Sequence, residues 1–322
     1  RLHNKETQRA AEAIRAKRLF EHETGKHHLD FSNAYKASFF EYFQEVTDQK
    51  AAGSKSNHSI WISALKHLRQ YHKLPELTFE EVDQLFLEGF RHHLMHKART
   101  KSGTPLSRNT QSAYFNKLRA ALNQAEQDRL LPDNPVRRVK AIQGEKNKRV
   151  YLTEDEVRAL AQAECRYDVL KRAFLFSCCT GLRWSDIHQL TWAELEPFYG
   201  HYRIVFIQKK TSGLQYLDLN DMAMQLMGRS GKTSERIFKG LKYSAWHNME
   251  LTRWALQAGI TKKVTFHSAR HSFAVIQLNR GVDIYALSRL LGHSELRTTE
   301  IYADILESRR RDAMLDFPNV LE

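Results

Sequence analysis

Between residues 28 and 142 the apolar positions recur every three or four residues, the spacing of helices with one buried face. From Ser59 to Leu74, Ile60, Trp61, Ala64, Leu65 and Leu68 make such a stripe, and Pro75 stops it. Thr78 and Glu81 have the spacing of a capping box and predict a next helix that buries Val82, Leu85, Phe86 and Phe90. Ser107 opens a third, with Tyr114, Leu118, Leu122 and Ala125 on one face. These stripes read as core. Residues 1–27 are rich in Ala, Glu, Arg and Lys and predict one polar helix, either solvated or the tail of a further domain. The pattern breaks at 132–150. Pro132, Pro135 and Gly144 interrupt helices, GEKNKRV is charged, and the stretch reads as a linker whose basic end spans 143–150.

A second domain, 151–322, starts at Tyr151. Thr153 and Glu156 form another capping box, and a helix from about Asp168 to Cys179 ends at Gly181. HYRIVFIQKKTSGLQYLDL predicts two strands around a turn at Thr211-Ser212-Gly213, and the chain after about Ser234 reads as helix. This half is therefore mostly helix with one small hairpin, and no internal repeat appears.

Charge changes the picture of the first half. The net charge is +13 over 322 residues. Residues 1–150 carry 27 Lys and Arg against 17 Asp and Glu, whereas 151–322 carry 23 against 20. A basic half joined to a nearly neutral one suggests that the first half grips a polyanion. Lys140, Lys146, Lys148 and Arg149 either follow a DNA backbone between the domains or form an ordinary solvated connector. No apolar run approaches the roughly 18 residues of a membrane span. Three cysteines, Cys165, Cys178 and Cys179, make no disulfide framework and read as reduced thiols of a cytoplasmic protein.

Four short segments of the second half carry candidate chemistry: TGLRWSDI (180–187), QKKTSG (208–213), HSARH (267–271) and LGHSELRTTEIYADI (291–305). Singly each is weak. Together they put phosphate-compatible groups where the backbone is controlled. Arg183 follows the helix-ending Gly181, and Lys210 sits at the hairpin tip. His267 and Arg270 lie three apart at a helix start. Gly281 ends that helix, Asp283 caps the next, and Gly292 ends it in turn, leaving His293 in the turn. Ser294 then caps the helix bearing Tyr302. This set suits displacement at a phosphodiester. Arginine forks bind non-bridging oxygens in bidentate fashion and stay ionised. A phenol has an ordinary pKa of about 10 and must lose its proton as it attacks. Histidine titrates near neutrality and assists, lysine protonates the leaving alkoxide, and fixed cations replace a metal.

In order and spacing these segments resemble the tyrosine recombinase, or phage-type integrase, family over 150–305, and 28–142 resembles more loosely its helical SAM-like core-binding domain. Integrases of phages and of conjugative or mobilisable elements are the nearest in kind. The resemblance implies a mainly α protein with a small β-hairpin or sheet in the catalytic domain (α+β), its two domains forming a C-shaped clamp around DNA. It implies that Arg183 and Arg270 clamp the scissile phosphate and that Lys210, rather than its neighbour Lys209, protonates the 5′-hydroxyl. His267 would assist at Tyr302, His293 would hydrogen-bond a non-bridging oxygen, and Tyr302 would form a 3′-phosphotyrosine link without cofactor or ATP. The family's partners are double-stranded DNA attachment sites, a homo-tetramer that recombines through a Holliday junction, and in some cases DNA-bending accessory proteins. Residues 306–322 would then be a C-terminal segment passed to a neighbour or packed on its own domain. Residues 1–27 would be the end of a missing arm-binding domain.

Three rivals remain at this level. A type IB topoisomerase shares the nucleophile and the arginines. A zinc hydrolase using His267, His271 and His293 has an i, i+4 histidine pair but lacks a Glu within the motif. A non-catalytic DNA-binding protein needs the basic half alone and leaves Tyr302 without a purpose.

Overall fold

The computed structural model describes residues 36–131, 133–145, 149–209, 213–293 and 295–303. They form two compact units that divide between residues 147 and 148.

The first unit is helical. Helices α1 (Phe39–Gln49), α2 (Lys55–His72), α3 (Gln84–His96) and α4 (Arg108–Gln127) surround one core that includes Phe39, Phe43, Trp61, Leu68, Phe90, Phe115 and Leu122. The stripe predicted from Ser59 belongs to α2, which begins at Lys55. It ends before Pro75, where Lys73 turns left-handed at φ 63°. Ser107 caps α4 through the Thr110 amide, as the sequence predicts. The helix after Pro75 differs from expectation. Glu81 does accept from the Thr78 amide at 2.7 Å, but this closes a turn. Asp83 caps α3 instead, by accepting from the Phe86 amide. The later start rotates the buried face onto Leu87, Phe90 and Leu94 and leaves Leu85 77% exposed.

The stretch predicted as linker is in large part packed. Val136, Val139 and Ile142 are buried in the first core. Arg119 donates to the Val139 carbonyl, Arg108 to the Gln143 carbonyl, and the Glu145 amide donates to Asn109. Three apolar residues at a spacing of three outweigh the prolines around them. Lys140 is exposed within this packed stretch.

The second unit opens with α5 (Glu154–Gln162), whose Thr153–Glu156 capping box forms as predicted. Helix α6 (Asp168–Thr180) ends at Gly181, left-handed at φ 71°. The short α7 (Trp184–Gln189) follows, then β1 (Leu195–Phe198), β2 (His201–Ile207) and β3 (Leu214–Leu219). These make one antiparallel sheet in the order β1-β2-β3. Ile204, Phe206, Leu217 and Leu219 face the core. The sequence pattern shows β2 and β3 but not β1. The β1–β2 turn is Tyr199-Gly200, both at positive φ, where a hairpin more often signals itself by Asn-Gly. Helices α8 (Asp221–Met227), α9 (Ala245–Gln257), α10 (Phe266–Asn279), α11 (Ile284–Leu291) and α12 (Arg297–Ala303) complete the described unit. Asp283 caps α11 by accepting from the Tyr285 and Ala286 amides, and Gly292 ends it at φ 58°. The mainly α fold with one small sheet is as the sequence implies. The helix read over 1–27, the cap by Ser294, the tip residues Lys210 to Ser212 and the segment 306–322 lie outside the described residues.

Candidate active site

Helix ends bring the motif residues together. Gly181 lets the chain leave α6 in a conformation a β-carbon disfavours, and its carbonyl accepts from Arg270 Nη1 at 2.8 Å. A Cβ there would meet the rings and methyls of Phe273 and Leu291. Two residues on, Arg183 directly precedes α7. Its Nη1 donates to Gln208 Oε1 at 3.1 Å and stands 4.0 Å from the buried Asp186 carboxylate. Burial lowers the Arg183 pKa, while Asp186 and Tyr302 act to raise it.

Arg270 is 2% exposed, on the first turns of α10. Its Nη2 donates to the Leu291 carbonyl at 2.7 Å and meets His293 Nε2 at 2.9 Å. Burial first, then Arg183, pushes its pKa down to about 10, so it stays charged at neutral pH. Because a guanidinium only donates, His293 Nε2 is the acceptor here. The ring proton of neutral His293 is then on Nδ1, which faces Thr299 Oγ1 at 2.7 Å.

Tyr302, on α12, is 2% exposed and packs with Phe273, Leu287 and Leu291. Its hydroxyl meets His271 Nδ1 at 2.6 Å. Burial raises the phenol pKa, against the opposing pull of Arg270, Arg149 and Arg183. Burial likewise pushes His271 down to about 3, helped by the charges of His267, Arg149, Arg270 and His293. His267 stands edge to face against His271, with ring centroids 4.6 Å apart. The residue touching the phenol is therefore His271, where the sequence reading expected His267. HSARH displayed His271 openly, but nothing in the motif says which histidine turns toward α12.

A cleft of about 520 Å³ opens beside these groups. Arg183, His267 and Arg270 line it together with Trp184, Tyr243 and Lys263, and Tyr302 is not among its described lining residues. Lys209 is described, and its amide donates to Asp186 Oδ1 at 3.1 Å, which pins the base of the hairpin tip. Lys210, Lys146 and Lys148 lie outside the described residues. Arg149 is described, and its charge acts on both His271 and Tyr302. The trio His267, His271 and His293 does not converge on one point as zinc ligands would. His271 Nδ1 faces the phenol, and the His293 nitrogens face Arg270 and Thr299. Gln208 and Asp186 are the supporting residues that sequence reasoning missed, although both sit inside segments it singled out.

Comparison with known proteins follows the same division. Residues 38–142 match a family model described as a phage integrase SAM-like domain, and 150–309 match the phage integrase family. A tyrosine recombinase XerD of Shewanella oneidensis is 26% identical over 279 residues, covering 79% of this chain and 87% of that protein. The integrase of Escherichia phage P2 is 26% identical and covers 56% of this chain and 51% of that one. Among solved structures, a lambda integrase dimer bound to a COC′ core site is similar with a TM-score of 0.67 at 17% identity, covering 89% of this chain and 99% of that one. The Tn1549 transposon integrase in complex with transposon right end DNA gives 0.64 at 17% identity, covering 87% and 100%. At such identities the structural likeness speaks for the fold.

Proposed function

The chain belongs to the phage integrase family of tyrosine recombinases, and from that premise we propose how it cuts and rejoins DNA at specific sites to integrate or excise a mobile element. Arg183 and Arg270 bind the non-bridging oxygens of the scissile phosphate and carry the charge that builds up there. The Tyr302 oxygen attacks phosphorus, a 3′-phosphotyrosine bond forms, and the bond to the 5′ oxygen breaks. The phenol proton passes to a histidine of the HSARH segment, and Lys210 protonates the departing 5′ oxygen. Once a phosphate takes over as the acceptor of Arg270, the His293 ring proton moves from Nδ1 to Nε2, Thr299 Oγ1 donates to Nδ1, and Nε2 donates to a non-bridging oxygen. The phosphotyrosine keeps the bond energy, so a partner strand's 5′-hydroxyl reseals the DNA without ATP. Two such rounds pass through a Holliday junction.

The basic helical domain, 28–142, would hold the DNA, with Lys140, Lys146, Lys148 and Arg149 along the DNA backbone. The working assembly would be a homo-tetramer on two duplexes, as lambda integrase is on a Holliday junction. Segment 306–322 would link neighbouring subunits. The family matches favour recombination over topoisomerase-type relaxation.

The observation that carries the reading is the meeting of Arg270, His293 and the Gly181 turn at one place, with Tyr302 on the next helix. Its test is a screen of nicked candidate attachment sites for a covalent protein–DNA adduct. Adduct should map to Tyr302 and vanish in Tyr302→Phe, which should bind DNA within about twofold of wild type, since one hydroxyl among many phosphate contacts adds little to binding. Adduct formation by Tyr302→Phe would show that another group is the nucleophile.

A further inference from the structure

Gln208 closes β2 and is 1% exposed. Its backbone amide donates to the Gly213 carbonyl at 2.9 Å, across the hairpin tip. Its side chain faces two ways. Oε1 accepts from Arg183 Nη1 at 3.1 Å, and Nε2 donates to the Leu291 carbonyl at 3.3 Å. The same Leu291 carbonyl accepts from Arg270 Nη2 at 2.7 Å. One oxygen at the end of α11 thus receives Arg270 directly and Arg183 through a single amide. Next to it, Gly292 is packed so closely that a Cβ would collide with the Gln208 amide. Asp186 adds a second tie, from the α7 side to the Lys209 amide.

A buried amide is costly unless both ends are hydrogen-bonded, and an apolar side chain of equal volume would fill this space. What the amide supplies is polarity of a fixed sense, an acceptor toward Arg183 and a donor toward Leu291. An arginine needs its guanidinium plane fixed to meet phosphate oxygens in bidentate fashion. Asp186, at 4.0 Å, is too far for a normal hydrogen bond to do this alone.

We propose that Gln208 is a positioning residue that holds Arg183 in register with Arg270 and joins the hairpin tip to both. The proposal rests on the reading of the two arginines as the phosphate clamp.

The test uses the full chain and a nicked duplex on which it forms the Tyr302 adduct, measured as the rate of adduct formation. Gln208→Met is close in volume and removes the hydrogen bonds to Arg183 and Leu291. It is expected to slow cleavage of the ordinary phosphodiester by about tenfold or more, the scale of a slightly misplaced catalytic group. On a substrate whose scissile phosphate carries a methyl group in place of one non-bridging oxygen, the phosphate is uncharged and needs the clamp less. There the defect should shrink to a fraction of its size, as it should for Arg183→Ala. A merely structural role would give the same loss on both substrates.

Gln208→Glu keeps the size and the acceptor toward Arg183, loses the donor to Leu291, and covers the case in which Gln208→Met fails to fold. Its carboxylate competes with phosphate for Arg183, so it too should be slow on the diester and relieved on the methylphosphonate. Equal losses on both substrates, or wild-type rates on the diester, overturn the proposal. Arg183→Ala at a wild-type rate would bring down the clamp reading and this proposal with it. An impaired Arg183→Ala beside an unimpaired Gln208→Met overturns the positioning role alone.

Discussion

At the scale of single residues the most consequential contact is the 2.6 Å pair of His271 and Tyr302. The motif arginines, His293 and Tyr302 were legible because each follows a helix-ending glycine or a fixed motif interval. Side-chain partners were not legible, since His267 and His271 share one face of α10 and only the packed position of α12 decides between them. The pair also makes a pH prediction. Burial holds His271 at about 3 in the folded chain, against an ordinary value of 6.5. Between those values the unfolded chain binds a proton on this residue that the folded chain does not. Stability is therefore fully present above about pH 6.5 and falls as the pH drops toward 3. Urea unfolding should give a lower midpoint at pH 5 than at pH 7.5, and His271→Gln should remove part of that difference. Equal pH dependence in the two proteins would mean that the titrating group lies elsewhere.

At the scale of elements, the termini of α6, α10 and α11 do the positioning. The sequence marks two of these helices plainly, α6 by Gly181 and α11 by Asp283 and Gly292, as it marks the start of α5 by Thr153. Two elements escaped. Helix α3 starts late because Asp83 outcompetes the Thr78–Glu81 pair as a cap, and β1 is a four-residue strand behind an unusual Tyr-Gly turn. The importance of the α6 terminus can be measured. Gly181→Ala meets a left-handed backbone and, in addition, Phe273 and Leu291. It should cost about 2–4 kcal/mol of unfolding free energy, part conformational and part overpacking. Gly200→Ala meets the same kind of backbone with open space around it, and should cost only about 1–2 kcal/mol. Chemical unfolding of both variants separates the packing contribution from the backbone one. Equal losses would show that the contact with Phe273 and Leu291 relaxes without cost.

At the scale of the whole molecule, sequence showed two domains because helical stripes end and a new capping box begins near residue 150. Less legible was the packing just before that point: Val136, Val139 and Ile142 lie among prolines and charges that read as linker, yet they are buried in the first core. The charge asymmetry makes the last prediction. An excess of ten positive charges in 1–150 against three in 151–322 implies that much of the DNA affinity comes from phosphate contacts made by the first half. Each neutralised phosphate contributes about −0.9 to the slope of log affinity against log salt. Lys140→Ala, at an exposed position on the packed stretch, should weaken binding to any duplex and reduce the steepness of that slope by about one. Arg149→Ala should do the same to binding and should also slow adduct formation, because the Arg149 charge acts on His271 and Tyr302. Filter binding between about 50 and 200 mM salt reads the first effect, and the nicked substrate reads the second. A slope unchanged in both variants would place the phosphate contacts on other basic residues. A wild-type affinity indifferent to salt would remove the electrostatic basis of the DNA-binding half altogether.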